Sequence, residues 1–315
     1  MTTEPYLVRL TVQLTEGLAR LPADFRDRHA SYIRSCQNPD GGFSAREGGS
    51  DLYYTGFALR GLAVLDALTS DDCERAARFL RDSMTGRTGI VDFFSFLYSC
   101  FLVQLAGGPD VLAASPTDWP DRVAQTLESF RKADGGYAKS ADSASGSTYH
   151  TFLVALCYEL LGKNVPQPED VVRFLRSRRR EDGGFVEIAP MRRSGTNPTA
   201  AAIGALDILC HGTASAATLL QEVRDGVVDF LAEMPSEEGG LRANGRIPLA
   251  DLLSTFTGTW TLQTLDAMTQ IDRGDALAYA QSLEQAGGGF RGGLWDDGTD
   301  VEYTFYGLGC VALLR

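Results

Sequence analysis

The 315-residue sequence predicts an all-α fold, an (α/α)6 barrel of six helical-hairpin repeats, and two observations carry the prediction. The first is a recurring Gly pair. Pairs stand at Gly41-Gly42, Gly135-Gly136, Gly183-Gly184, Gly239-Gly240 and Gly288-Gly289, three of them within DGGF or DGGY, and Thr88-Gly89 fills the one gap. The turns near 41, 88, 135, 183, 239 and 288 are thus separated by 47, 47, 48, 56 and 49 residues. Self-similarity at a fixed period marks a repeat architecture, and six near-equal units leave no seam for a boundary, so residues 1–315 read as one domain. The second observation is that every unit contains two kinds of helix in the same order.

Ahead of each Gly pair lies an amphipathic stretch such as DDCERAARFLRDSM (71–84), where Ala76, Phe79, Leu80 and Met84 recur at helical spacing and charge takes the other side. The first of these stretches, 5–36, is long enough for the outer helix of unit one with length left for a cap. After each Gly pair and a polar loop comes a stretch apolar nearly all round. These are YTGFALRGLAVL (54–65), FFSFLYSCFLVQL (93–105), YHTFLVALCYELL (149–161), TAAAIGALDIL (199–209), STFTGTWTLQTL (254–265) and YTFYGLGCVALL (303–314). A helix without a polar face is buried on all sides, so the apolar six form an inner ring and the amphipathic six surround it. On this reading the glycines stop one helix so that the next can re-enter, because Gly reaches the left-handed C-terminal conformation without a Cβ clash.

Composition narrows the partners. A formal net charge of −12 disfavours nucleic acid, and with 44% hydrophobic residues the chain still holds no apolar run long enough to span a bilayer. The start MTTEPYLVRL lacks the basic region and apolar core of a signal peptide. Six scattered cysteines, most within apolar helices, show neither metal-site pairs nor a secreted disulfide framework. The expected setting is cytoplasmic. No phosphate-binding Gly loop, nucleophile elbow or dinucleotide fingerprint is present.

SDLYYTGFALRGL (50–62) and TDVEYTFYGLGCVALL (299–314), in units that carry GGF, place DxxYT at the head of an inner helix. In this the chain resembles, from about residue 30 to its end, the β subunit of protein prenyltransferases and the wider superfamily of α-α toroids that includes squalene-type terpene cyclases. The resemblance implies an isoprenoid ligand and a set of positions to compare. In protein prenyltransferases an Asp and a Cys heading the fifth inner helix, with a His heading the sixth, hold zinc. Here Asp251 matches the acid, but Leu253 and Tyr303 stand at the Cys and His positions. Neither replaces a thiolate or imidazole, so no zinc is expected. Asp51, Asp92, Ser147, Asn197, Asp251 and Asp300 recur at the helix heads, and capping the helix N-termini accounts for all six.

The family binds prenyl diphosphate through basic residues on loops of units four and five. At the matching places this chain offers Arg192 and Arg193, then Arg242 and Arg246, whose forks suit diphosphate oxygens. Solvated loop charge is the equal alternative. RSRRRED (176–182) ends an outer helix and reads as surface. Aromatic residues crowd the helix heads, among them Tyr53, Tyr54, Tyr149, Phe256, Trp260 and Phe305, and suit the wall of an isoprenoid cavity; core packing is the plain reading for most. Squalene-type cyclases protonate substrate with the third residue of a DxDD motif, and in DVEYT that position is Glu302, flanked by Asp300 and Tyr303. Burial would keep such a carboxyl neutral. Asp296-Asp297 is a loop feature that also offers carboxylates to a cation such as Mg2+.

Three functions follow: a zinc-independent prenyl transferase holding a prenyl diphosphate, a single-domain terpene cyclase with Glu302 as acid, and a noncatalytic barrel binding an isoprenoid or a protein. The first is favoured by the basic loops. The family's helical partner subunit is compatible with this chain, but nothing in the sequence calls for it.

Overall fold

The computed structural model describes residues 4–85, 89–140 and 142–315. Six inner helices, α3 (Leu52–Val64), α5 (Ile90–Leu105), α7 (Thr148–Leu160), α9 (Thr196–Leu209), α11 (Leu252–Thr264) and α13 (Val301–Leu314), pack each against the next, and α13 returns to α3 to close the ring. Around them lie α2 (Ala23–Ser35), α4 (Ser70–Asp82), α6 (Trp119–Glu128), α8 (Pro168–Arg178), α10 (Ala214–Ala232) and α12 (Arg273–Ser282). The expected barrel is what forms. One boundary differs: α4 ends at Asp82, and Met84 stands exposed in a short 3-10 turn rather than on the apolar stripe. Among the described residues no helix is long and apolar enough to cross a membrane.

The Gly pairs do not stop the helices. α2 ends at Ser35 with an αR residue, Cys36, as its C-cap, five residues before Gly41. The pair instead shapes a small turn closed by Gly41 N–H to Asn38 O (3.0 Å) and Asn38 N–H to Gly42 O (2.9 Å). Gly41 has φ +93°, and a Cβ there would lie 2.1 Å from the Arg75 carbonyl oxygen of α4. The second glycine leaves room for a ring of that same neighbouring helix, Phe79. Units three to six repeat the arrangement, and in the last of them Gly288 and Gly289 meet Arg28 and Tyr32 of α2, joining unit six to unit one. The turn is therefore the joint between units. Thr88 lies outside the described residues, and Gly89 serves as the extended N-cap of α5.

The buried residue after the pair is pinned inward. In unit one Phe43 N–H donates to Thr55 Oγ1 at 2.9 Å, and the same bond recurs from Tyr137 to Thr151, Phe185 to Thr199, Leu241 to Thr255 and Phe290 to Thr304. In the last four of these units the threonine also donates to the carbonyl of its helix's cap residue. A buried N–H left unpaired costs about 1–3 kcal/mol, so the Thr of DxxYT is a structural requirement. Arg178 departs from the surface reading of 176–182. It is buried, lies 4.2 Å from the Phe174 ring centroid, and pairs with Asp134 of the preceding DGGY turn at 2.5 Å.

The N-terminal helix α1 (Tyr6–Ala19) lies across one end of the ring and packs on α13, α3 and α9. Glu159 accepts the Tyr6 N–H at the N-terminus of α1, where negative charge suits the helix dipole. Arg9 pairs with Asp207, Thr11 Oγ1 bonds Tyr98 Oη (2.8 Å), and Trp260 Nε1 donates to Tyr6 Oη (2.7 Å). Glu159 and Asp207 sit near the C-terminal ends of their helices, so α1 floors that end. The N-terminal heads of the inner helices, with their loops, form the opposite rim.

Candidate functional site

Between floor and rim lies a cavity of about 420 Å³, within the range of small-molecule sites, roughly 300–1,000 Å³. The repeat fixes which side chains line it. Counting from each helix's cap residue, the second position contributes Tyr53, Val91, Tyr149, Asn197 and Leu253, and the sixth contributes Phe57, Ser95, Leu153, Ala201, Thr257 and Tyr306. The ninth adds Arg60, Tyr98, Leu156 and Trp260, and Tyr6, Leu7 and Leu10 of α1 form the base. Of the six aromatic residues expected to form the wall, Tyr53, Tyr149, Phe256, Trp260 and Phe305 line the cavity; Tyr54 does not. Phe256 and Phe305 meet edge to face at 5.6 Å between centroids.

Glu302 shares the second position of α13 and stands just behind this wall. Tyr53 Oη donates to its carboxylate at 2.6 Å and Tyr306 Oη lies 3.5 Å away. Burial raises the Glu302 pKa above the ordinary carboxyl range; the Tyr53 bond opposes this and Asp300 adds to it. Tyr53 and Tyr306 are pushed well above the usual phenol value, chiefly by burial. Glu187, a second rim carboxyl that sequence reading passed over, lines the cavity, accepts from Ser147 Oγ, and is also raised by burial.

The other candidate residues at the helix heads, Asp251, Asp300 and Tyr303, make structural contacts. Asp251 caps α11, accepting from Ser254 N–H (2.7 Å) and Oγ (2.9 Å). Asp300 caps α13 through Tyr303 N–H (2.8 Å) and takes Arg46 Nε at 3.1 Å. The Tyr303 ring lies over Gly292 and off the cavity wall. Capping accounts for Asp51, Ser147, Asp251 and Asp300. Asp92 sits one turn into α5 and accepts Gly89 N–H (3.1 Å), while Asn197 is no cap at all: α9 begins at Thr196 after Gly195, and Asn197 accepts from Thr257 Oγ1 at the cavity wall.

None of the four loop arginines lines the cavity. Arg242 is bound to the carbonyls of Met234 (3.2 Å) and Glu233 at the end of α10. Arg192, Arg193 and Arg246 are exposed on the loops leading into α9 and α11, on the rim side, and form no ion pair among the described residues. Arg46 reaches Asp296 with two bonds (2.7 and 2.5 Å), which holds the carboxyl of this member of the Asp296-Asp297 pair down at about 2.

The family model for the prenyltransferase alpha-alpha toroid domain matches residues 5–185, 101–218 and 197–315. The chain belongs to the prenyltransferase alpha-alpha toroid family. No curated protein matches it in sequence. Among solved structures it is similar to Candida albicans protein geranylgeranyltransferase-I complexed with GGPP, at 14% identity and TM-score 0.69, covering 90% of this chain and 89% of that one. It is also similar to the type II terpene cyclase MstE from Scytonema, at 13% identity and TM-score 0.59 over 96% and 98% of the two chains. A protein from Actinoplanes matches at 14% identity and TM-score 0.59 over 93% and 99%. At such identities these likenesses establish the toroid fold, and the terpene cyclase shows that fold at this chain's length.

Within this prenyltransferase-type toroid the residues at the zinc positions do not fit the metal. Asp251 spends its oxygens on Ser254, Leu253 presents hydrocarbon to the cavity, and Tyr303 packs on Gly292. Among the described residues no group of three or more His, Cys, Asp or Glu side chains is placed to hold a metal ion. The sequence reading of the toroid missed Arg60, which lies in the cavity wall. Its signal was present: a lone charge within YTGFALRGLAVL, nine residues after Asp51 and so on the axial stripe.

Proposed function

We propose that this toroid binds a prenyl diphosphate, with the isoprenoid chain among the aromatic rings and the anionic head at the rim, and transfers the prenyl group without the family's zinc site to an acceptor nucleophile, the bond to the acceptor forming as the C–O bond to diphosphate breaks and the acceptor's proton passing to solvent. The observation that carries the reading is the cavity itself, walled by aromatic rings, floored by α1, and rimmed by loops that bear Arg192, Arg193 and Arg246. The rings exclude water from the chain, and their faces stabilise an allylic cation as the bond to diphosphate stretches. The rim arginines take up charge on the leaving diphosphate through charge-assisted hydrogen bonds. Arg242 is dropped from that set because its donors serve α10. The Candida enzyme of the same fold carries GGPP in its structure.

The test is incubation with farnesyl and geranylgeranyl diphosphates, with and without a chelator that removes Mg2+ and zinc, following binding and diphosphate release. Binding is expected, with release that does not depend on zinc and, where no other acceptor is supplied, water capturing the allylic cation to give the prenyl alcohol and a proton. The triple variant R192A/R193A/R246A should bind at least tenfold more weakly at an unchanged melting temperature. Failure of the wild-type protein to bind either diphosphate, or a triple variant that binds as well, overturns the reading.

One observation favours a second reading, acid-initiated cyclisation. Glu302 carries a raised pKa and is joined to the cavity wall through Tyr53. In this reading a proton passes from the Glu302–Tyr53 pair to a ligand alkene and is recovered when the cyclised cation loses one. E302Q would then abolish formation of cyclic product with the diphosphate retained; a fully active E302Q variant excludes it.

A further inference from the structure

Among the described residues Arg60 is the one cation whose side chain lines the cavity. Its Nε donates to Gly56 O at 2.9 Å, and its guanidinium carbon lies 3.9 Å from the Phe57 ring centroid, 5.4 Å from Phe305, 5.7 Å from Phe94 and 5.8 Å from Tyr98. No carboxylate forms an ion pair with it among the described residues. Ring faces offset part of the lost hydration of a cation, but they accept no conventional hydrogen bond from the Nη groups, which hold four of the five donors of the fork. Facing it from α5, Ser95 lines the same cavity with a fully buried hydroxyl that has no hydrogen-bond partner.

The two groups converge over Gly56. A Cβ placed there would meet Ser95 Cβ at 3.4 Å, Arg60 Nη2 at 3.5 Å and Ser99 Oγ at 3.6 Å, and the Ser99 hydroxyl is likewise buried and unpartnered. Buried polar groups are nearly always paired. Arg60 and Ser95 both line the cavity and bring donors without a protein partner from two adjacent helices, which suits an acceptor oxygen, and a planar guanidinium fork best matches a carboxylate.

We infer that Arg60 and Ser95 form an oxyanion-recognition point inside the barrel, and that the isoprenoid occupying the cavity is an oxygenated one whose carboxylate seats between α3 and α5. This rests on the isoprenoid occupancy proposed above and adds to it. The point lies at the level of Phe57 and Phe94, deeper than the rim loops, so it reads the buried part of the ligand rather than a head group at the mouth. It favours a chain that carries an acceptor over a plain hydrocarbon one, because the hydrocarbon displaces water from the half-buried guanidinium without replacing its hydrogen bonds.

Trp260 lines the cavity, and its fluorescence reports occupancy. Farnesoic acid, farnesol and farnesene are titrated into the wild-type protein and the variants R60M, R60K and S95A, with melting temperatures taken alongside. The wild-type protein is expected to bind the acid at least tenfold more tightly than the alcohol. R60M should reduce that preference below threefold, with R60K intermediate and S95A showing the smaller loss. A wild-type protein that binds all three alike overturns the inference and leaves isoprenoid binding intact, as does a folded R60M variant that keeps the preference. A wild-type protein that binds no isoprenoid overturns both.

Discussion

The two faces of each inner helix differ in how faithfully they repeat. On the outward side, five of the six units carry the same device: a glycine at positive φ against the next outer helix, and a threonine holding the N–H of the following buried residue. On the axial side, the second position from the cap reads Tyr53, Val91, Tyr149, Asn197, Leu253 and Glu302, with no two adjacent units alike. Repetition belongs to the joints that close the ring, and chemistry belongs to the positions where the repeats disagree. The second unit sharpens the point, because it has Phe93 in place of the threonine and no left-handed glycine at Gly89, yet it still supplies Val91 and Ser95 to the cavity.

Substitutions on the two faces should therefore separate stability from binding. The largest effect is expected from Gly183→Ala, whose Cβ would fall 2.1 Å from the Gly226 carbonyl oxygen at φ +88°. Left-handed strain of about 1–2 kcal/mol and overpacking of about 1–3 kcal/mol give a loss near 3 kcal/mol or more, seen as a large fall in the denaturant midpoint. Thr199→Val keeps the shape and leaves Phe185 N–H unpaired, a loss of about 1–3 kcal/mol, measured the same way.

Acid comes next. His29 is fully buried at the seam between units six and one, its Nδ1 accepting Gly289 N–H (3.0 Å) and its Nε2 3.2 Å from Glu284, with Arg28 nearby. Burial holds its pKa down at about 4 against 6.5. The unfolded chain then binds the proton first, so this contribution is complete above about pH 6.5 and is lost as the pH falls towards 4. Lowering the pH from 7 to 5 should cost about 1–2 kcal/mol, a component missing from a His29→Gln variant followed by thermal denaturation over the same range. The smallest change in stability, within about 0.5 kcal/mol, is expected for Tyr149→Leu, an axial residue 38% exposed, although isoprenoid affinity should fall several-fold by titration. A large loss of stability in that variant would contradict the division of the two faces.

The same division explains what the sequence revealed. Closure of the ring and five of six expected wall residues follow from a periodic signal that survives however the units diverge. The Gly pairs announced the repeat but not their mechanism, since a positive φ and a close backbone contact leave one sequence mark. Asn197 was placed among the caps because α9 opens on a glycine, which shifts the polar residue two places inward. Arg178 read as surface because its partner, Asp134, lies in the preceding repeat. Arg60 was passed over inside an apolar stretch, and only the axial register shows that a charge nine residues beyond Asp51 points at the cavity rather than into solvent.

The floor of the barrel comes from outside the repeats. Tyr6, Leu7 and Leu10 set how far a ligand can descend, yet α1 has no part in the Gly joints that hold the six units together. The depth gauge of this vessel is thus a separate stop, and its reach can be reset by side-chain size in one short segment while the circular wall keeps its dimensions.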